Sequence, residues 1–172
     1  MITRNQIMQG KADMDISNGI FIFSDGAVRT DSTVEKGFRG GFGVALYFNG
    51  VEQMVYSGAS SNTTVSRMEM TGVLAALKIV NKNKIMNASI VSDSQLVIRG
   101  ITEWMDGWKR KNWTKFDKTP VENIDIWQQI DAELNASDAY INFIWVKGHN
   151  GNLGNERVDF LAGEAVDSLE KK

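Results

Sequence analysis

The chain reads as a single α/β domain built on a mixed sheet. Two observations carry that reading. Strand-like runs come first, two of them joined by an Asn-Gly turn, and helix-period and strand-period segments then alternate to the C-terminus. There is no internal repeat, and 172 residues with 42% hydrophobic content are enough for one substantial core.

Residues 1–18 are polar, scattered in charge and without period, so they are expected to form a flexible or loosely docked extension, with the folded domain occupying 19–172. The run Ile20-Phe21-Ile22-Phe23-Ser24-Asp25 is an apolar strand ending at Gly26, and Ala27 to Arg39 is expected to be a long loop. Two further strands, about 41–48 and 51–58, flank Asn49-Gly50, a strong hairpin signal. A helix over 65–81 follows, with Met70, Val73, Leu74 and Leu77 as its buried stripe. After a strand at 88–92 come helical stretches at 95–110 and 121–135, a strand at 140–146, and a last helix at 155–169 carrying Val158, Leu161, Ala162 and Ala165 inward.

Composition narrows the chemistry. The chain has no cysteine and one histidine, which excludes disulfide frameworks and thiolate or multi-histidine zinc sites on ligand count. No apolar run reaches membrane-spanning length and the N-terminus lacks a signal-peptide layout, so a cytoplasmic protein is expected, and nothing in the sequence demands more than a monomer.

Four acids stand out by position. Asp25 and Asp93 close two strands at their C-terminal ends, where open α/β sheets form their ligand crevice. Glu69 lies one turn before Val73 at the start of the first long helix, and Asp159 lies early in the last one, each bordering a buried stripe. Carboxylates that lean together repel and raise one another's pKa unless cations neutralise them, and hard divalent ions with oxygen ligands are the natural partner. Mg²⁺ fits best, with Mn²⁺ as a substitute. A second feature is the segment from Trp104 to Lys118, which carries Lys109, Arg110, Lys111, Lys115 and Lys118 against Asp106 and Asp117, with Trp104, Trp108 and Trp113 interleaved. Such a patch suits phosphate binding with aromatic cover, or a solvated helix face whose tryptophans pack into the core beneath.

These residues carry a resemblance to the type 1 ribonuclease H family. The matching segments are Ser24-Asp25-Gly26, Arg39-Gly40-Gly41-Phe42-Gly43, Arg67-Met68-Glu69-Met70 and Ser92-Asp93-Ser94-Gln95. They continue with Gly100-Ile101-Thr102-Glu103-Trp104, Gly107-Trp108-Lys109-Arg110-Lys111-Asn112-Trp113, Trp145-Val146-Lys147-Gly148-His149 and Asn155-Glu156-Arg157-Val158-Asp159-Phe160-Leu161-Ala162. The resemblance spans about 19–167 in order and implies a ribonuclease H-like α/β fold, a mixed five-stranded sheet with helices on both faces.

What the resemblance implies about chemistry is specific. The family's metal-binding carboxylates fall on Asp25, Glu69, Asp93 and Asp159, which would hold two Mg²⁺ ions, roughly 3.5–4 Å apart as in other two-metal sites. Hydrolysis of the RNA strand of an RNA–DNA hybrid would leave 5′-phosphate and 3′-hydroxyl ends. His149, in a loop with glycines at 148, 151 and 154, corresponds to the mobile catalytic histidine. The segment with Trp104, Trp108, Lys109, Arg110, Lys111 and Trp113 corresponds to the basic protrusion that holds the DNA strand, and Thr64, Ser66 and Gln95 are the candidates for phosphate and 2′-hydroxyl contacts, although Thr64 and Ser66 also suit a helix cap. Val65 and Ser66 stand where many members carry asparagines, Leu96 replaces a common aromatic, and the 27–39 segment is longer than usual. The rival classes are a hybrid-binding module that does not cut and a related metal-dependent nuclease acting on another nucleic acid; the retained acids and His149 favour the enzyme.

Overall fold

The structure is a computed structural model that describes residues 8–10, 14–34 and 37–169. Its elements are β1 (Met8–Gly10), β2 (Ile20–Val34), β3 (Gly37–Phe48), β4 (Val51–Thr63), α1 (Val65–Lys82), β5 (Asn87–Ser92), α2 (Gln95–Arg99), a π-helical turn (Gly100–Trp104), α3 (Met105–Arg110), α4 (Ile124–Ala136), β6 (Tyr140–Val146) and α5 (Leu153–Asp167). The strands form one sheet in the order β1-β6-β5-β2-β3-β4. The β1, β6, β5 and β2 pairings are parallel, whereas β2–β3 and β3–β4 are antiparallel.

All five expected strands are present, and a short sixth joins them. Met8–Gly10 pairs with Ile144–Val146 at the sheet edge, inside the segment expected to be a loose extension, and Met14 and Ile16 pack against the apolar cluster beneath α5. Three residues are too few to show a period-2 pattern, and the pairing is made by backbone groups that carry no sequence signal. The rest of the expected extension, residues 1–7 and 11–13, lies outside the described residues.

The expected loop after Asp25 is instead mostly a hairpin arm. Ladder pairs run from Ala27–Gly41 through Arg29–Arg39, and after a register shift they resume at Thr33–Phe38 and Val34–Gly37. The β-branched residues Val28, Thr30, Thr33 and Val34 favour the extended pairing that a loop reading of this stretch overlooks.

Helices cover both faces. One cluster gathers α1, α2, α3 and α4 over the sheet through residues such as Ile22, Val44, Met70, Leu77, Ile90, Ile98, Met105, Ile130 and Phe143. The other sits under α5 and includes Phe23, Ala45, Val91, Ile144, Val158 and Leu161. On that side the helix backbone approaches β3 very closely. A Cβ built on Gly41 would lie 2.5 Å from the Ala162 carbonyl oxygen, and one on Gly43 would lie 2.7 Å from that of Val158. Glycine is required at both positions because any side chain would lift α5 off the sheet. Among the described residues, no helix is long and apolar enough to cross a membrane.

Candidate active site

Parallel pairing brings the first two acids together. β2 and β5 run side by side with Ser24 opposite Ser92, so Asp25 and Asp93, one residue further in each chain, meet at the same sheet end. Glu69 arrives from above. Thr64 caps α1 by accepting from the Arg67 amide at 3.2 Å, and Gly26 lets the first turn settle on β2, since a Cβ there would lie 2.5 Å from the Glu69 nitrogen. Asp25, Glu69 and Asp93 each place a carboxylate oxygen within 4.8 Å of the others.

Asp159 stands apart from this trio. It is half-buried on α5, and its charge is felt by Asp25 without its oxygens entering the same tight group. The structure therefore gathers three of the four predicted ligands in one tight group, with Asp159 outside that group but close enough for its charge to act on Asp25.

Crowding and burial govern the electrostatics. Asp25 is only 5% exposed; desolvation first, and then the charges of Asp93, Asp159 and Glu69, push its carboxyl up to about 9, against a lowering hydrogen bond from the Gly26 amide at 2.8 Å. Glu69 is raised to about 7, again chiefly by desolvation, with Asp93 adding to the shift and the Ser94 hydroxyl opposing it. Acids held in this state have a high affinity for a neutralising cation. The donor set, carboxylate oxygens with no thiol and no imidazole among the three, fits a hard divalent ion.

Several residues outside the predicted set tune Asp93. The Asn155 side-chain amide donates to Asp93 Oδ2 at 3.3 Å, and the Trp145 indole donates to the Asp93 carbonyl at 2.9 Å. Gly148 packs so closely that a Cβ would sit 2.7 Å from Asp93 Oδ2. Ser94 caps α2 by accepting from the Val97 amide at 3.3 Å, besides bonding to Glu69. Among these, Ser94 had a local signal, a serine between a strand-end aspartate and a helix start; Asn155 and Trp145 open segments that match the family, but their contacts with Asp93 span more than fifty positions and no local pattern announces them.

With this geometry in place, comparison with known proteins is informative. The family model described as RNase H matches residues 17–167. The chain belongs to the ribonuclease H family. It is 41% identical over 148 residues to the ribonuclease H of Polaromonas naphthalenivorans, covering 86% of this chain and 87% of that one. It is also 41% identical over 150 residues to the ribonuclease H of Cupriavidus necator, covering 87% and 97% respectively. The fold matches that of a foamy viral protease-reverse transcriptase solved in complex with an RNA/DNA hybrid, with a TM-score of 0.80 at 20% identity, covering 98% of this chain and 22% of that one. Ribonuclease H enzymes are metal-dependent hydrolases that cut the RNA strand of RNA–DNA hybrids.

The remaining predicted residues fall into two groups. His149 is exposed in the β6–α5 loop, with a left-handed φ of 54°, one residue beyond the Gly148 that touches Asp93. Thr64 and Gln95 are exposed and Ser66 half-buried at the starts of α1 and α2, bordering the acids. In the basic segment, Arg110 and Lys111 are exposed, but Lys109 is tied to Asp131 at 3.0 Å. Trp108 packs on the main core between Trp104 at 5.9 Å and Trp127 at 5.2 Å, and Trp113 also lies against that core. Arg99 lies over the Trp104 ring at 5.2 Å. The tryptophans thus build the protrusion as much as they face outward from it.

Proposed function

We propose that this chain is an endoribonuclease that hydrolyses the RNA strand of RNA–DNA hybrids, with Asp25, Glu69, Asp93 and Asp159 holding two Mg²⁺ ions for which Mn²⁺ substitutes. The observation that carries this reading is the meeting of Asp25, Glu69 and Asp93 within 4.8 Å, from within β2, from the start of α1 and from just past the end of β5. When bound, such ions activate water and neutralise charge at the scissile phosphate. The protein's own part is to fix the acids before substrate arrives: the strand pairing sets Asp25 beside Asp93, Ser94 orients Glu69, and Asn155 orients Asp93.

His149, on its exposed loop, receives or delivers the proton that accompanies attack and departure, an imidazole being suited to that exchange near neutral pH. Arg110 and Lys111 hold the DNA strand by its phosphates, with Trp104, Trp108 and Trp113 shaping the surface and Lys109 braced on Asp131. Thr64, Ser66 and Gln95 line the path of the backbones beside the acids, where RNA is told from DNA by its 2′-hydroxyl. The products are 5′-phosphate and 3′-hydroxyl ends, and the enzyme works as a cytoplasmic monomer, a setting that suits a cysteine-free chain.

The test uses end-labelled RNA–DNA hybrid, RNA duplex and DNA duplex, each with Mg²⁺ or chelator. Cleavage confined to the RNA of the hybrid, abolished by chelator and reduced roughly 10²-fold or more in Asp93→Asn, is expected, because loss of several kcal/mol of charge stabilisation costs at least that much rate. Binding of hybrid without any cutting would replace the enzyme with a binding module.

A further inference from the structure

The basic segment ends in a tight turn that the catalytic reading does not use. Phe116 stands at its tip and is 96% exposed, the most exposed large apolar side chain among the described residues. The turn beneath it is closed on all sides. The Lys118 amide donates to the Lys115 carbonyl at 2.9 Å, the Lys115 amide donates to the Thr119 carbonyl at 2.8 Å, and Thr114 bridges to Pro120. The exposed Asp117 carboxylate accepts from both the amide and the hydroxyl of Thr119.

The surroundings of the phenyl ring are cationic. The Lys111 ammonium lies 6.0 Å from its centroid, and Lys115 and Lys118 flank it in sequence. Lys115 is 3.9 Å from Glu122, a loose exposed pair, and the one acid next to the ring, Asp117, is held by Thr119. A lone exposed phenylalanine is unremarkable on a protein surface. One that a hydrogen-bonded turn holds out among lysines is different, because the ligand that suits lysines, a phosphate backbone, also carries flat apolar faces at the spacing of its bases and sugars.

We propose that Phe116 is a nucleic-acid contact that packs on a sugar face of the strand gripped by the basic segment, adding a salt-insensitive component to hybrid binding. This rests on the reading of the chain as a hybrid-cleaving enzyme and goes beyond it by naming a contact in which charge has no part. Phe116 positions the duplex and takes no part in the reaction.

The measurement is fluorescence-polarisation titration of a labelled RNA–DNA hybrid with full-length protein in an Asp93→Asn background with Mg²⁺, so that bound hybrid is not consumed, across a range of salt. Phe116→Ala is expected to bind about tenfold more weakly, equivalent to about 1.4 kcal/mol, with an unchanged slope of log affinity against log salt. Phe116→Trp is expected to restore binding and Phe116→Leu to leave it weak, while all three melt at the parent temperature, since the side chain touches no core. An alanine variant within twofold of the parent, or a leucine variant as tight as phenylalanine, would overturn the proposal. Equal weakening on phospholipid vesicles or on protein partners but not on hybrid would overturn it as well. If the parent itself failed to bind hybrid, the functional reading would fall first, and this inference with it.

Discussion

The indole nitrogen of Trp145 donates a 2.9 Å hydrogen bond to the main-chain carbonyl of Asp93, clamping a strand-end acid to the neighbouring strand. Trp145 lies opposite Ser92 in the parallel β5–β6 ladder, so the bond reaches just past the last registered pair, where ladder support ends. Trp145→Phe keeps most of the ring but leaves that carbonyl without its donor. A cost of about 1–2 kcal/mol is expected, which for a domain of this size is a fall in melting temperature of roughly 2–8 °C. Activity should drop with it, and the Mg²⁺ concentration for half-maximal rate should rise.

Metal-free protein should lose stability as pH rises. Asp25 and Glu69 have folded-state pKa values near 9 and 7, above their ordinary values of 3.8 and 4.5. Between those limits the folded chain binds more protons than the unfolded one, so stability falls with each step up in pH from about 4 until both acids have ionised near 9. Thermal melts in chelator at pH 5.5, 7.5 and 9 should therefore descend in that order on this account. Saturating Mg²⁺ should flatten the series, and at a hundredfold excess over its dissociation constant should add about 2.7 kcal/mol. A metal-free series that rose with pH across this range would contradict the electrostatic account of the site.

Gly148→Ala tests the packing behind Asp93. The added methyl would lie 2.7 Å from Asp93 Oδ2 and 3.4 Å from its carboxyl carbon, so either the acid or the His149 loop must move. Because a displaced ligand or ligand support typically costs 10–100-fold in metal affinity or activity, a loss of about tenfold in kcat/KM at limiting Mg²⁺ is expected, partly recovered at high Mg²⁺. Isothermal titration of the metal separates this from a general loss of fold.

Lys109 and Arg110 are neighbours with different expected roles. Lys109 is engaged with Asp131 at 3.0 Å, whereas Arg110 is exposed at the end of α3. Arg110→Ala should reduce the salt dependence of hybrid binding by about one counterion, a slope change of about 0.9. Lys109→Ala should change the slope by less than half of that and should instead lower the melting temperature slightly, since it removes the Lys109–Asp131 tie between α3 and α4. Binding isotherms at several salt concentrations distinguish the two.

Much of this architecture was legible in the chain because its signals are local. Ile20–Asp25 and Ala88–Asp93 announce two apolar strands that each lead into an acid, and although the first strand runs on past Asp25, its parallel pairing with the second stops at Ser24–Ser92 and sets Asp25 beside Asp93. Glu69 followed from the period of α1. What escaped depends on partners distant in sequence. The seating of α5 on Gly41 and Gly43 joins segments far apart in the chain, and the brace from Asn155 crosses 62 positions. The two readings of the basic segment, a phosphate-binding patch or a helix face whose tryptophans pack into the core, stayed open in the sequence because pattern alone does not reveal Trp127 and Asp131 on another helix. The edge strand Met8–Gly10 is held by backbone pairing and so left no mark in side-chain order.

The close seating of α5 on two glycines has a mechanical corollary. Asp25, Glu69 and Asp93 come from β2, α1 and the end of β5, but the remaining carboxylate rides on α5, whose height over the sheet is set by bare hydrogen atoms at Gly41 and Gly43. A single methyl group at either seat would act as a shim, lifting the helix that carries Asp159 while all four acids kept their identity, so the clearance between that helix and the sheet is written into the sheet floor rather than into the acids themselves.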